Sequence, residues 1–140
     1  MPYQFCTRSH EIHCGHRVFG HQGKCQHLHG HAYVFEITCS APELDDLGMV
    51  IDFGVIKSEI CEWLEKQWDH RMLIWSKDPI LPALRACDTT VVAVPFNPTA
   101  ENLAKHMVEK LGPDLLGDTG VKVVQCTVRE TSKCSATFSL

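Results

Sequence analysis

The 140-residue chain has no apolar run near the roughly eighteen residues needed to cross a bilayer, so no membrane association is expected. It has no basic run either. With 13 Lys and Arg against 17 Asp and Glu, its formal charge is -4, which argues against nucleic acid as a partner, because such surfaces cluster Lys and Arg. The opening MPYQFCTRSHEIHCGHRV lacks the apolar core of a secretory leader. The eight cysteines are therefore expected as reduced thiols in the cytoplasm rather than as disulfides. No Cys-x-x-Cys knuckle occurs, and no Pro-Cys-x-x-Cys of the kind zinc deaminases use. No repeat, low-complexity tract or linker divides the chain, which is long enough to bury a core as a single domain, 1–140.

What the chain does have is histidine, nine in all, concentrated before residue 32. In KCQHLHGHAY, residues 24–33, His27, His29 and His31 stand at every second position, and Cys25 lies four before His29. Successive side chains of an extended strand alternate faces, so these imidazoles can point one way. Two such rings and a third neutral nitrogen make a three-histidine zinc site with an open fourth position, the pattern of catalytic zinc. His10, His13, His16, His21 and His27 are all candidates for the third. The alternatives are a closed site of Cys14, Cys25, His29 and His31, or surface histidines without a metal. Cys39, Cys61 and Cys126 sit in apolar patterns and read as small core residues. Cys25, between Lys24 and Gln26-His27, is the thiol in a polar, electropositive setting.

The hydropathy pattern predicts strands over 3–14, 31–40, 121–130 and 133–140, with His-rich turns from Gly15 to Gly23. A helix capped by Asp52 runs to about Trp68 on a stripe of Ile56, Ile60, Trp63 and Leu64. A second starts near Thr99, with Leu103, Met107, Val108 and Leu111 as its stripe, and Gly112-Pro113 is expected to stop it. The long stretch 75–98 reads as a connection holding one β-prone run, TTVVAV. The order ββααββ implies an α+β fold, a four-stranded antiparallel sheet with two helices on one face. Its two open edges invite oligomerisation.

Two further places carry acid–base potential. WDHRML puts Asp69 beside His70 just past the first helix, where a carboxylate can fix the tautomer of an imidazole. Adjacent helical residues do not face one another, so a direct bond between them is left open. Glu130 ends the apolar row Val124, Cys126, Val128, and a carboxylate there must be paired. A ligand's N–H donors, Arg129 or a neighbouring chain would each serve.

HCGHRV (13–18), KCQHLHGHAY (24–33), GMVIDF (48–53), WDHRML (68–73), PTAENLA (98–104) and VRET (128–131) together resemble the 6-pyruvoyltetrahydropterin synthase / 6-carboxytetrahydropterin synthase family, in its order and over nearly the whole chain. The spacing Cys25-x-x-x-His29-Gly-His31 is similar to the carboxy branch, as is VIDF. The resemblance implies the tunnelling fold, built from trimers that often stack as hexamers, with sites between subunits. It implies zinc held by His16, His29 and His31, Cys25 as the catalytic thiol with Asp69 and His70 as its relay partners, and Glu130 as the anchor of a pterin ring. His27 is expected to line the pocket. The implied reaction converts 7,8-dihydroneopterin triphosphate to 6-carboxy-5,6,7,8-tetrahydropterin, and the pyruvoyl branch stops before the carbon–carbon cleavage. A non-catalytic, zinc-stabilised binding module is the other class of reading. The chain departs from the family pattern in Trp68, Ile74 and the length of 75–97.

Overall fold

Period-two alternation builds the middle of the molecule, of which a computed structural model describes residues 3–140. Strand β1 (Phe5–His16) and β2 (His29–Ser40) run antiparallel through twelve paired positions, from Phe5 opposite Ser40 to His16 opposite His29. β5 (Lys122–Arg129) lies antiparallel against β2, and β6 (Ser135–Ser139) against β5. Tyr33, Phe35, Ile37 and Cys39 of β2 are fully buried, while the alternate residues Val34, Glu36, Thr38 and Ser40 are only partly covered. One face is thus the core and the other is not.

Two long helices cover that core face. α1 spans 53–67, with Phe53–Ile56 and Glu62–Gln67 joined by a π turn, Lys57–Cys61. The Asp52 side chain caps it, accepting from Gly54 N–H. Ile56, Ile60 and Leu64 are its fully buried stripe. The Thr99 side chain caps the other long helix in the same way, accepting from Asn102 N–H. Leu103, Ala104 and Met107 pack against the row from β2. Trp68 closes the space between the two helices, its ring near Phe35, Trp63 and His106.

The α+β class and the ββααββ order stand, but the sheet has six strands rather than four, and it is mixed. β3 (Met72–Trp75) pairs parallel with β1 at Gly15 and His16, and β4 (Val92–Val94) pairs parallel with β3. The order is β4-β3-β1-β2-β5-β6. The stretch expected to be a connection therefore contributes an edge, along with a short helix α2 (Leu81–Cys87). Strands of three and four residues carry too little pattern to be recognised alone. Ile74 is one of the fully buried side chains.

Gly112-Pro113 does not stop the second long helix. α3 spans 100–116, and its π turn, Met107–Leu111, closes with Gly112 N–H on the Met107 carbonyl. Pro113 follows in the first turn after that widening, where a missing N–H costs little. Gly112 is a packing residue, since a Cβ there would come within 2.8 Å of Val123. The helix ends instead through a 3₁₀ turn, Gly117–Thr119, and a left-handed Gly120. No helix among the described residues is long and apolar enough to cross a membrane.

Candidate active site

The strand register brings the three imidazoles together. His29 and His31 project from the core face of β2, and His16 stands directly opposite His29 on β1. Gly15 and His16, expected in a turn, are the last residues of β1. The three residues offer ligand atoms that all lie within 4.8 Å of one another. His16 is buried, and its Nδ1–H donates to the Pro98 carbonyl at 2.6 Å. His29 Nδ1–H donates likewise to the His27 carbonyl at 2.7 Å. Each carbonyl fixes a tautomer, so both Nε2 atoms carry lone pairs, and they face each other at 3.0 Å. Two lone pairs at that distance repel unless a proton or a cation lies between them. Burial, opposed by the Pro98 hydrogen bond and assisted by the neighbouring imidazoles, lowers the His16 pKa to about 4. Burial lowers that of His31 as well, against the pull of Glu130. A neutral donor set whose lone pairs converge fits a divalent metal ion, with no thiolate among the ligands. Cys14 and Cys25 stand outside it, and burial pushes the Cys14 thiol up to about 12.

The carbonyl that orients His16 is itself held. Asn97 makes a two-bond clamp on the backbone of Phe19, and the Asn102 amide donates to the Asn97 carbonyl. Below this, Arg17 grips the buried Asp78 with a bidentate ion pair. Asn97, Pro98 and Asp78 carry no motif that the sequence reading singled out as functional, because their roles depend on contacts some sixty to eighty residues away.

Asp69 and His70 do bond directly, His70 Nδ1–H donating to Asp69 Oδ2 at 2.8 Å. The left-handed backbone of His70, φ 59, turns its ring back onto its neighbour, which helical geometry would not permit. His70 N–H donates to the His13 carbonyl, and the other Asp69 oxygen accepts from His13 N–H. Burial raises the Asp69 pKa, but the hydrogen bonds from His13 and His70 outweigh it and leave the carboxyl below its ordinary range. The His70 side chain is 78% exposed, with Nε2 free to accept a proton. Its ring stacks on His13, whose strand position faces away from the three imidazoles. The dyad opens on a groove of about 470 Å³ floored by Gly15, Gly30 and Ala32. Within one chain it lies across the sheet from the metal cluster.

Cys25 is half-buried in a 3₁₀ turn, Lys24–Gln26, tied to the end of β1 by Val18 N–H on its carbonyl. Its thiol lies close enough to Tyr33 for its charge to act on that phenol. Among the described residues no hydrogen bond joins it to His70. Glu130 follows β5 directly, and its Oε2 is 4.0 Å from His31 Nε2. It is not paired with Arg129, which bonds Glu36 on the opposite face at 2.7 Å. His27 is exposed beside His29.

With this geometry in place, the comparisons are direct. The family model for 6-pyruvoyl tetrahydropterin synthase matches residues 5–140. The chain belongs to this enzyme family. It is 40% identical over 131 residues to the 6-carboxy-5,6,7,8-tetrahydropterin synthase of Rickettsia bellii, covering 92% of this chain and 95% of that one. It is 35% identical over 125 residues to the enzyme of the same name from Aquifex aeolicus, covering 82% and 75%. Among solved structures, 6-pyruvoyl tetrahydropterin synthase of Caenorhabditis elegans aligns with TM-score 0.69 at 26% identity, over 100% of this chain and 97% of that one. An uncharacterized protein of Wolinella succinogenes shares the fold at TM-score 0.86 and 23% identity, over 99% of both chains.

Proposed function

We propose that the chain converts 7,8-dihydroneopterin triphosphate and water to 6-carboxy-5,6,7,8-tetrahydropterin, acetaldehyde and triphosphate, a carbon–carbon lyase reaction serving 7-deazaguanine (queuosine-type) biosynthesis in the cytoplasm. The facing Nε2 atoms of His16 and His29, in a chain with carboxy-branch relatives, carry this reading. Zinc, held by His16, His29 and His31, would supply Lewis acidity toward the substrate's side-chain hydroxyls. Glu130 accepts hydrogen bonds from the pterin's 2-amino and N3 groups and so sets the ring's position. Cys25 takes a proton from the side chain, and His70, oriented by Asp69, receives or returns it. The eight free thiols fit a reducing compartment.

The dyad's place across the sheet from the metal cluster supports a site shared between copies. His70 of one chain would reach the Cys25 and imidazole cluster of another, in an assembly built from trimers through the sheet edges β4 and β6. Product identification by mass spectrometry after incubation with 7,8-dihydroneopterin triphosphate tests the assignment. 6-Carboxytetrahydropterin with acetaldehyde is expected, and 6-pyruvoyltetrahydropterin as the end product would move the chain to the other branch.

One zinc per chain is expected by elemental analysis of the purified protein, and none in His16→Ala. Chelation should leave the fold largely intact, because the core cluster is built from apolar side chains behind the site. A purely structural metal would instead unfold the chain when removed, and a sulfur neighbour at about 2.3 Å by absorption at the zinc edge would overturn the three-imidazole set.

Glu130→Gln is expected to weaken pterin binding by about 2–4 kcal/mol, since the amide presents a donor where the ring needs an acceptor. Calorimetric titration with neopterin measures it. Unchanged affinity with a lowered melting temperature would make Glu130 structural.

A further inference from the structure

Tyr33 is fully buried, and its hydroxyl is the one buried side-chain polar atom without a hydrogen-bond partner among the described residues. An orphaned buried donor costs on the order of 1–3 kcal/mol, so phenylalanine would be the expected occupant of a position that only fills the core. The ring lies edge-on to both His16 and His31, at 5.6 and 5.3 Å between centroids. It continues the row of β2 that carries the metal-ligating imidazoles, and its neighbour on the β5 side is Glu130, one step beyond the pairing of Val34 with Arg129. The acidic groups whose charge reaches the phenol are Cys14, Glu130 and Cys25. Cys14 is a buried neutral thiol, and Cys25 is assigned to proton transfer, which leaves one standing anion. Glu130 has no donor at hydrogen-bond distance, since His31 Nε2 is 4.0 Å away. A donor without an acceptor therefore adjoins an acceptor without a donor.

We propose that Tyr33 is a positioning residue for Glu130, its hydroxyl donating to the carboxylate and holding it aimed at the ligand's paired N–H groups. Once His31 gives its nitrogen to a metal, it no longer competes for Glu130, and rotation of the glutamate side chain brings the two orphans together. The carboxylate then arrives preorganised, with one oxygen held from behind and lone pairs left for the ring. The inference rests on the pterin-anchoring role of Glu130 and adds the group that enforces it.

The test is a double-mutant cycle on the zinc-loaded protein, using calorimetric titration with neopterin, which carries the ring and hydroxylated side chain but no triphosphate. Tyr33→Phe is expected to weaken binding roughly ten- to a hundredfold, the worth of a hydrogen bond to a charged group. In the Glu130→Gln background the same substitution should cost nothing further, because the carboxylate it serves is gone. Zinc content should stay at one per chain, and the melting temperature of the ligand-free Tyr33→Phe protein should not fall, since its hydroxyl had no partner to lose. Additive losses, or wild-type affinity in Tyr33→Phe while Glu130→Gln binds poorly, would overturn the proposal and leave the anchoring role standing. Wild-type affinity in Glu130→Gln itself would remove both.

Discussion

Cys25→Ala is expected to lower turnover by about 10²–10⁴, the usual contribution of a positioned proton-transfer group. The substitution isolates chemistry because the thiol makes no hydrogen bond that holds the fold. The backbone carbonyl, not the side chain, ties the Lys24–Gln26 turn to Val18. Zinc content, assembly size and melting temperature should therefore match the wild type, and single-turnover product formation reports the loss. Mixing supplies a second readout. His70→Ala is expected to be equally slow, yet subunits of the two inactive variants, dissociated and reassembled together, should regain part of the activity, because some sites then combine an intact thiol with an intact dyad. Wild-type turnover in Cys25→Ala would transfer the proton to another base, and failure of the mixture to recover would place thiol and dyad in the same chain.

Asp78→Asn is expected to destabilise the protein by about 3 kcal/mol near neutral pH, or roughly 10 °C in melting temperature for a chain of this size. The Asp78 side chain is 1% exposed and receives Arg17 Nε–H at 2.7 Å, a second Arg17 donor and the Ile80 N–H. Removing its charge strands a guanidinium that is itself only 20% exposed. That residual access to water sets the effect at the low end for a broken buried pair. The Arg17 hydrogen bond outweighs burial and holds the Asp78 carboxyl below its ordinary pKa. A carboxyl depressed in the folded state contributes its stability above the unfolded-state value of about 4 and loses it as pH falls through the folded value. Melting curves of wild type and variant should therefore stand apart at pH 7 and converge below about pH 4. A constant gap across that range would assign the loss to packing.

What could be read from residues alone follows the range of the forces involved. His29 and His31 share a face because a strand alternates, and the stripes of α1 and α3 are visible because a helix repeats at 3.6. Which upstream histidine joins them depends on the β1–β2 register. The link between the two strands, 17–28, is no standard hairpin turn that would fix it. His16 was legible only through family resemblance. The Asp69–His70 bond needs a left-handed residue that is not glycine, a conformation stabilised here by the His13 backbone and absent from any local signal. β3 and β4 exist because β1 offers them an edge. Tyr33 was visible in the core row of β2, but only the missing partner of its hydroxyl, a property of the packed structure, sets it apart.

The π turns have a consequence for how this chain tolerates changes in length. Glu62 N–H reaches back five residues to Lys57, and Gly112 to Met107, so each long helix contains one residue more than regular winding would need. Deleting a single residue from 57–61 would restore regular winding and swing everything beyond it by about 100° around the helix axis. Trp68 would leave its slot against Phe35 and His106, and Asp69 and His70 would turn with it. Within that segment, the number of residues constrains the site as firmly as their identity does. Length variation among descendants of this sequence belongs instead in the exposed stretches at 42–48 and 85–90, where no ligand and no packed ring depends on the count.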